Sequence, residues 1–351
     1  ERMVLNLIEG LAARGLAIDL LAIRADGADL GKLPAGVRLL DLGVRHSGLV
    51  ILPLARYLRR ERPGALLVAK DRAIRAAALA RRLAGWDGRL VGRLGTNLTA
   101  ALAGRSRAAR WLRTAPMHWA YRRVDHIVAV SQGVAEDTRR ITGLPAARVT
   151  VVRNPVVTPR LAELAAAPCP HPWLVSSAVP VILGAGRLTE QKDFATLLRA
   201  FARMQPIRPG RLVILGEGRL RGELERLADE LGVGDRVALP GFAANPYAWM
   251  ARAALFVLSS AWEGSPNVLT EALALGVPSV ATDCPSGPRE LLAGGRYGAL
   301  VAVGDHVGLA EAMLATLEAP LPAGRLREAV ADYTAEAAAL GYLGALGLAA
   351  S

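Results

Sequence analysis

This sequence contains few cysteines and no long apolar runs. Its 351 residues include two cysteines, Cys169 and Cys284, too few for a disulfide framework, so a reducing cytoplasm is expected. No run approaches the ~20 apolar residues that a membrane-spanning helix needs. Residues 1–15 are amphipathic and lack a small-residue cleavage site, so no signal peptide is predicted. These absences disfavour a secreted disulfide-rich protein and an integral membrane protein.

Acidic residues are scarce in the first half of the chain. Residues 1–155 hold 27 Lys and Arg against 12 Asp and Glu, a net charge of +15, whereas residues 156–351 hold 16 against 19, a net charge of −3. The net charge of +12 therefore comes from the first half alone. A one-sided positive field attracts an anionic surface, either nucleic acid or anionic lipid.

The length and the hydrophobic content of 52% indicate a globular protein of two domains. In the second half, apolar stretches of strand length alternate with helical segments, which predicts a doubly wound parallel α/β sheet. The first half repeats this plan, but residues 3–13 already read as a helix, so its first strand lies upstream or is missing. We predict an N-terminal domain over 1–160, a proline-rich linker near 157–178, a C-terminal domain over 175–330 and a terminal helix over 331–351.

Two glycine-containing loops of the second half are expected at a cleft between the carboxyl ends of the two sheets. In GAGRLTEQKDF, Gly186 allows a tight turn, and Arg187 and Lys192 present two cations that could neutralise a diphosphate. A solvated surface loop explains the same residues equally well. LGEGRLRGELE resembles a phosphate loop only loosely. Gly216 is therefore more simply part of a tight turn, beside which a nucleoside could pack.

The stretch EGSPNVLTE, residues 263–271, predicts a helix start that binds an anion. Ser265 is a candidate N-cap, and Pro266 a first helical residue. The helix start would then offer three unpaired amide groups, those of Asn267, Val268 and Leu269. Two carboxylates frame this start, Glu263 before it and Glu271 within the helix. Both could also be solvated surface groups.

Together these loops resemble those of the retaining glycosyltransferase family 4, whose members have the GT-B fold of two facing Rossmann-like domains. The spacing of Glu263 and Glu271, with seven residues between them, matches the two-glutamate signature of that family. VSQGVAED followed by VVRNPV matches the usual end of its first domain. The resemblance covers nearly the whole chain and implies an α/β GT-B fold and glycosyl transfer.

The resemblance implies a role for each of these residues. Arg187 and Lys192 would hold the diphosphate of a nucleotide-sugar donor, Glu271 would hydrogen-bond the ribose hydroxyls, and Glu263 would contact the donor sugar. The remaining donor-binding positions are loop glycines and helix-start amides, those of Gly186, Gly216, Gly264, Asn267, Val268 and Leu269. Fixed cations and a helix start stabilise the charge that develops as the diphosphate leaves. That phosphate would itself help to take the acceptor's proton, so the carboxylates are not the acid and base of a glycosidase.

The same scheme needs no metal and no other cofactor. The sequence agrees, because it contains no Asp-x-Asp pair and its histidines show no ligand spacing. The five histidines are His46, His118, His126, His171 and His306.

The first domain departs from the family pattern in two ways. The glycine-rich loop that follows the first strand in many relatives lies upstream of Glu1 or is missing. Many relatives also carry a histidine after the fourth strand, where this chain has GRLGTNLT with Gly95, Thr96 and Asn97. Thr96 and Asn97 are candidate acceptor-side residues. They can hydrogen-bond a sugar but cannot play the proton role of histidine.

Residues 105–123, RSRAARWLRTAPMHWAYRR, interleave six arginines with bulky side chains. This composition suits a helix in a lipid headgroup layer, but it also suits nucleic acid or a surface helix with its tryptophans packed inward. Pro116 predicts a break in the helix. Because a glycosyltransferase is expected, the favoured partners are a lipid-linked acceptor and an anionic membrane surface, with no nucleic acid.

The sequence therefore predicts a cytoplasmic retaining glycosyltransferase, peripheral on the inner face of the cytoplasmic membrane. It would move a hexose or N-acetylhexosamine from a UDP-sugar to a glycan or lipid-linked acceptor. DCPSGPRE is similar to relatives that build bacterial surface polysaccharides. Alternatives on the same fold are a sugar-nucleotide epimerase and a phosphorylase, and a non-catalytic or nucleic-acid-binding protein is the alternative from another class.

Overall fold

The structure is a computed structural model. It describes residues 2–22, 33–44, 49–176 and 178–348. The chain divides into two compact units. The first contains Glu1–Pro155 and Tyr333–Ser351, and the second contains Val156–Asp332. Within the described ranges, no helix is both long and apolar enough to cross a bilayer.

The described strands of the first unit are short, parallel and divided between two sheets. Their bounds are β1 Ile18–Ala22, β2 Val37–Asp41, β3 Ala65–Ala69, β4 Arg89–Leu94, β5 His126–Ala129 and β6 Val149–Val151. Strands β1 and β2 pair with each other, and β3 to β6 pair in chain order. In a doubly wound sheet of order 3-2-1-4-5-6 the first strand lies between these two groups. Among the described residues, no strand joins the two groups, which agrees with the prediction that the first strand lies upstream or is missing.

Helices lie on both faces of the four-stranded sheet of the first unit. The helices of this part are α1 Arg2–Ala12, α2 Ile51–Glu61, α3 Asp71–Ala84, α4 Leu98–Ala101, α5 Arg107–Tyr121 and α6 Gln132–Thr142, with a short 3-10 helix at Ala146–Arg148. Leu58, Ile74 and Tyr121 of three of these helices are fully buried in one core with Leu90 and Ile127 of the sheet. This apolar face explains why the sequence between the strands reads as amphipathic.

Helix α5 runs through Pro116 without interruption, so the predicted break is wrong. A proline inside a helix removes one backbone donor and crowds the preceding turn. Here the following turn is held in place by packing, because Met117, Ala120 and Tyr121 are all buried in the core. Tertiary burial therefore overrides the local preference of the proline.

The second unit contains one six-stranded parallel sheet. Its strands are β7 Val181–Ala185, β8 Arg211–Leu215, β9 Val237–Gly241, β10 Leu255–Leu258, β11 Ser279–Thr282 and β12 Ala299–Val301. Their order is β12-β11-β10-β7-β8-β9, which is the doubly wound order. Every residue of β7, β10 and β11 is buried. A strand that is covered on both faces has no polar side to alternate with, which explains the continuous apolar runs in the sequence.

Helices connect the strands of the second unit. Their bounds are α7 Pro159–Ala166, α8 Pro172–Val175, α9 Phe194–Met204, α10 Arg221–Glu230, α11 Pro246–Met250, α12 Asn267–Ala274, α13 Pro288–Leu291, α14 His306–Glu318 and α15 Ala323–Glu328, with 3-10 helices at Gly234–Arg236 and Ala293–Gly295. Asp193 caps α9, because its carboxylate accepts hydrogen bonds from the amide and hydroxyl of Thr196. Phe194, Leu197 and Phe201 then bury the apolar face of that helix against the sheet.

The final helix, α16 Ala335–Leu346, packs against the sheet of the first unit together with α1. Val91 and Val128 lie in the same cluster, whereas their neighbours Leu90 and Ile127 belong to the core on the other face, because successive side chains of a strand point to opposite faces. The sequence predicts the helix but not the sheet that it covers.

A close approach between α1 and α16 generates a stability prediction. A Cβ atom added at Gly10 would lie 2.7 Å from the carbonyl oxygen of Ala335, whereas one added at Gly344, in α16, would meet nothing within 4 Å. Gly10→Ala should therefore lower the free energy of unfolding by ~1–3 kcal/mol, the usual effect of overpacking.

Gly344→Ala is the matched control. It should raise the free energy of unfolding by up to ~1 kcal/mol, since alanine favours a helix where it fits. Denaturant titration of both variants measures the difference, and equal effects would contradict the tight contact between the two helices.

Candidate functional site

The loops singled out in the sequence follow β7, β8 and β10 of one parallel sheet. Because the carboxyl ends of parallel strands share one edge, these loops gather at that edge of the second unit. Strands β8 and β10 both pair with β7, which places the loop after β7 in the middle. The predicted anion-binding residues of this unit are thus grouped by the topology.

The loops after β7 and β8 are in backbone contact. Gly216 has a φ of +137°, and a Cβ atom there would lie 1.9 Å from the carbonyl oxygen of Gly186. The Gly216 N–H donates to the carbonyl of Gly241 at 2.8 Å, and the Gly186 N–H donates to that of Leu215 at 2.9 Å. No other residue type fits at Gly216, so this glycine is required by the fold whatever ligand binds nearby.

Gly186 also makes room for the side chain of Lys192. A Cβ atom at Gly186 would lie 2.8 Å from the Lys192 Cε atom. The lysine stem therefore runs over the glycine, and its ammonium group reaches the loop that follows β10. This contact gives Gly186 a role that the sequence did not indicate.

Lys192 and Glu263 form a buried ion pair. The Lys192 Nζ atom lies 2.5 Å from Glu263 Oε1, and the side chains are 15% and 8% exposed. Ser260 Oγ donates to the same carboxylate oxygen at 2.8 Å. The two loops are further joined because Ser259 Oγ donates to the Lys192 carbonyl at 2.8 Å. The sequence predicts both charged residues at the site but not their direct contact.

Arg187 is an exposed cation of this edge. It follows Gly186 in the loop after β7, and its guanidinium has no ion-pair partner in the described part of the chain. An exposed guanidinium beside a buried ion pair is available to an incoming anion. Its planar fork of donors suits a phosphate group.

Glu271 lies inside α12 and is buried, and the Tyr247 hydroxyl donates to its Oε1 atom at 3.0 Å. Tyr247 itself is 4% exposed and belongs to the short helix α11. Nothing in the sequence points to Tyr247, because an aromatic residue in an apolar helix carries no local signal of a polar partner.

The start of α12 lies one residue later than predicted. The helix begins at Asn267, Pro266 occupies the cap position, and no side chain caps it, so Ser265 is not the N-cap. The Leu269 N–H donates to the Pro266 carbonyl at 3.0 Å and is not an open amide as predicted. The physical reason is the backbone of Pro266, whose ψ of 87° lies outside the helical range, so the helix begins one residue later.

The other helix-start positions lie next to Glu263. Gly264 is buried, and Asn267 and Val268 are half-buried at the start of α12. The Glu263 N–H donates to the Pro285 carbonyl at 3.3 Å. This bond ties the loop after β10 to the loop after β11.

Cys284 lies in the loop after β11 and is buried. Burial raises the pKa of the Cys284 thiol to about 12, and the nearby charge of Glu263 contributes a smaller part of this rise. The thiol is therefore protonated at neutral pH and is not a nucleophile.

In the first unit, Thr96 and Asn97 follow β4 as predicted by the sequence. Thr96 is exposed, whereas the Asn97 Oδ1 atom accepts from the Ala100 N–H at 2.9 Å and caps α4. The buried carboxylate of Asp137 accepts from the amides of Leu98 and Thr99 at the same helix start. Asn97 thus has a structural role at the start of α4. Of the two residues, Thr96 is the more exposed, and its hydroxyl can hydrogen-bond a ligand.

Metal ligands are not grouped in the part of the chain that the structure describes, where no three His, Cys, Asp or Glu side chains could hold an ion together. His126 is buried with Nε2 2.7 Å from Thr150 Oγ1, and burial together with Arg89 and Arg148 lowers its pKa. His171 packs against Trp173 and Trp249. His46 lies outside the described residues.

Two family patterns match the chain. The one described as Glycosyltransferase Family 4 matches residues 1–160, and the one described as Glycosyl transferases group 1 matches residues 179–319. Together they span most of the two units.

Curated relatives match over shorter stretches. N-acetylgalactosamine-N,N'-diacetylbacillosaminyl-diphospho-undecaprenol 4-alpha-N-acetylgalactosaminyltransferase of Campylobacter jejuni is 42% identical over 137 residues, which are 39% of this chain and 37% of that protein. The lipopolysaccharide core biosynthesis glycosyltransferase LpsE of Rhizobium meliloti is 34% identical over 194 residues, 55% of this chain and 54% of that protein. The matches therefore span about half of these relatives or less.

Solved structures match over nearly the whole chain. HepE of Anabaena, in complex with UDP and glucose, has a TM-score of 0.75 at 19% identity and covers 99% of this chain and 95% of that one. The lipopolysaccharide outer core galactosyltransferase WaaB has a TM-score of 0.71 at 19% identity and covers 99% and 94%. These neighbours have the GT-B fold, and the prediction of that fold is confirmed. With the family patterns matched in both halves, this chain belongs to glycosyltransferase family 4.

Proposed function

We propose that this protein transfers a sugar, a hexose or an N-acetylhexosamine, from a UDP-sugar to a glycan or lipid-linked acceptor in the synthesis of a cell-surface polysaccharide. The observation that carries the proposal is the buried pair of Lys192 and Glu263 beside the exposed Arg187 at one sheet edge. The relatives support it, because one is named for an acceptor linked to diphospho-undecaprenol and another for lipopolysaccharide core biosynthesis. UDP in the HepE complex favours a UDP-sugar donor.

In the proposed reaction, Arg187 and Lys192 bind the donor diphosphate. An ammonium group has three N–H donors, so Lys192 can keep its bond to Glu263 and still donate to a phosphate oxygen. As the bond from sugar to phosphate breaks, negative charge grows on the phosphate. Cations that are already in place stabilise this charge without reorganisation, and the start of α12 adds its dipole.

The two glutamates contact different parts of the donor. Glu271 accepts from the ribose hydroxyls, and Glu263, fixed by Lys192 and Ser260, accepts from a hydroxyl of the sugar. With the departing phosphate taking the acceptor's proton on the same face, the anomeric configuration is retained and no dedicated base is needed. The proposed chemistry uses no metal, because the two cations supply the positive charge.

The first unit supplies the acceptor side of the proposed reaction, with Thr96 as a hydrogen-bonding residue. Its helix α5 exposes Trp111 and Leu112, each 68% accessible, next to the exposed arginines Arg107 and Arg110. Trp119, in contrast, packs inward under Arg123, whose guanidinium carbon lies 4.2 Å from the ring centroid. An exposed tryptophan and leucine among arginines fit the headgroup region of an anionic bilayer. We therefore propose peripheral attachment to the inner face of the cytoplasmic membrane.

Nucleotide binding without metal is the first test of this proposal. UDP at about 100 times its Kd should stabilise the folded protein by ~2.7 kcal/mol, which appears as a rise in Tm. The rise should persist with EDTA present. If UDP, GDP, ADP and their sugar derivatives all leave Tm unchanged, the donor site does not exist, and a rise that EDTA abolishes would contradict the metal-free scheme.

Loss of either cation should slow the reaction. Arg187→Ala and Lys192→Ala are each expected to lower kcat/KM for the UDP-sugar by ~10² to 10³-fold, the effect of removing one preorganised group that stabilises the transition state. Arg325→Ala is the control, since Arg325 pairs with Glu328 in α15 away from the sheet edge. Kinetics that are unchanged in both site variants would refute their assigned roles.

Membrane attachment is tested by flotation with vesicles of phosphatidylglycerol and phosphatidylcholine. The double variant Trp111→Ser, Leu112→Ser should bind anionic vesicles at least about tenfold less tightly, since each apolar side chain contributes ~1.5–3 kcal/mol when buried. Ile207→Ser is the control, because Ile207 is 72% exposed but lies in the second unit. Equal binding of all three proteins, or no binding of the unaltered protein, would end the membrane proposal.

A further inference from the structure

Each of the two site glutamates accepts a hydrogen bond from a buried hydroxyl. The Tyr247 hydroxyl donates to Glu271 Oε1 at 3.0 Å, and Ser260 Oγ donates to Glu263 Oε1 at 2.8 Å. Tyr247 is 4% exposed and Ser260 is fully buried. The two bonds therefore have the same chemistry, a neutral hydroxyl that donates to a buried carboxylate.

We infer that Tyr247 and Ser260 are positioning residues, each of which orients one glutamate toward the donor. The inference rests on the proposed function, in which Glu271 meets the ribose and Glu263 meets the sugar. The terminal torsion of a glutamate side chain is broad, so the direction of its oxygens is set by the partners of the carboxylate. A hydrogen bond to a charged group away from water is strong enough to fix that direction.

The elements that carry the hydroxyls are themselves anchored. Helix α11 carries Tyr247 and is attached to α7, because Asn245 Nδ2 donates to the Leu164 carbonyl at 2.7 Å and Arg252 Nη1 donates to the Ala165 carbonyl at 3.2 Å. Ser260 is held from the next strand, since Thr282 Oγ1 donates to its carbonyl at 2.6 Å. Both donors thus stand on fixed backbone, as orienting groups must.

Changes at Tyr247 and at Ser260 should affect the binding of different ligands. The nucleotide carries the ribose but not the sugar, so a misdirected Glu271 should weaken UDP itself. A misdirected Glu263 should weaken or slow the UDP-sugar while UDP binding stays the same. A purely structural role would give no such division.

The positioning role of Tyr247 is tested by calorimetry with UDP and 2′-deoxy-UDP. Tyr247→Phe keeps the ring and should raise the Kd for UDP by about tenfold, the effect of one hydrogen bond to a charged group. The preference for UDP over 2′-deoxy-UDP should fall, because the misdirected carboxylate no longer meets the ribose hydroxyls. In a Glu271→Ala background, Tyr247→Phe should have no further effect, since its action passes through that carboxylate.

The positioning role of Ser260 is tested by measuring kcat with UDP-glucose, UDP-galactose and their N-acetyl forms. The Kd for UDP is the reference. Ser260→Ala should leave the Kd for UDP within about twofold and should lower kcat for the preferred UDP-sugar by about tenfold, the effect of one hydrogen bond to a charged group. Because this is a small change, it keeps the inference open to refutation even if Tyr247→Phe does not fold.

Matched controls lose the same kind of group elsewhere. Tyr121→Phe removes a buried hydroxyl bonded to Asp71 at 3.2 Å in the first unit, and Ser279→Ala removes a buried hydroxyl bonded to the Val277 carbonyl at 3.0 Å in the second. Both controls should keep the Kd for UDP and its preference over 2′-deoxy-UDP.

Different results would refute the proposed function and the positioning roles of Tyr247 and Ser260. If the unaltered protein binds no nucleotide, the proposed function fails. If it binds UDP and Glu271→Ala weakens that binding, but Tyr247→Phe does not, Tyr247 is not a positioning residue and the proposed function stands. If Ser260→Ala weakens UDP and UDP-sugar equally, or affects neither, the role of Ser260 is refuted.

Discussion

The ion pair between Lys192 and Glu263 is the contact on which the site of the second unit depends. It joins residues 71 positions apart, and both side chains are largely buried. Burying two charges costs solvation energy, which is offset only by close geometry and further hydrogen bonds. Ser260 supplies such a bond to the carboxylate, and Ser259 fixes the backbone of the lysine. The cation and the carboxylate are therefore held together before any ligand arrives.

Close backbone packing makes this arrangement possible. The lysine stem crosses Gly186, and the loop after β8 touches the loop after β7 at Gly216. These contacts need glycine, since neither position has room for a Cβ atom. A site that acts by electrostatic stabilisation needs charges that do not move as the reaction proceeds. Rigid loops joined by main-chain contacts meet this need better than long side chains on a free surface. Lys192 is held in this way by Glu263, and Arg187 stands exposed in the same loop, where a ligand can reach it.

Charge is distributed between the units in a way that matches their proposed tasks. The second half of the chain is nearly neutral, and its site uses cations in specified positions, whereas the first half carries the net charge of +15. Part of that charge is structural, because Arg113 and Arg75 both pair with Asp71. The remainder includes exposed arginines around Trp111, on a helix whose other side is anchored in the core. A broad positive surface suits attraction to a membrane, and fixed charges suit chemistry.

The sequence by itself determined the fold class, the loops that form the site and the uneven charge, because each is written in local order: buried apolar runs such as β7 and β10, glycines after strands, and the spacing of Glu263 and Glu271. Only the tertiary structure decided which groups meet. The partner of Lys192, the bond from Tyr247 to Glu271 and the sheet covered by α16 all join residues distant in the chain. The structure also set the start of α12 at Asn267, because the ψ of Pro266 is not helical. Local pattern fixes where an element lies, but contacts between elements set the direction of each side chain and hence its chemistry.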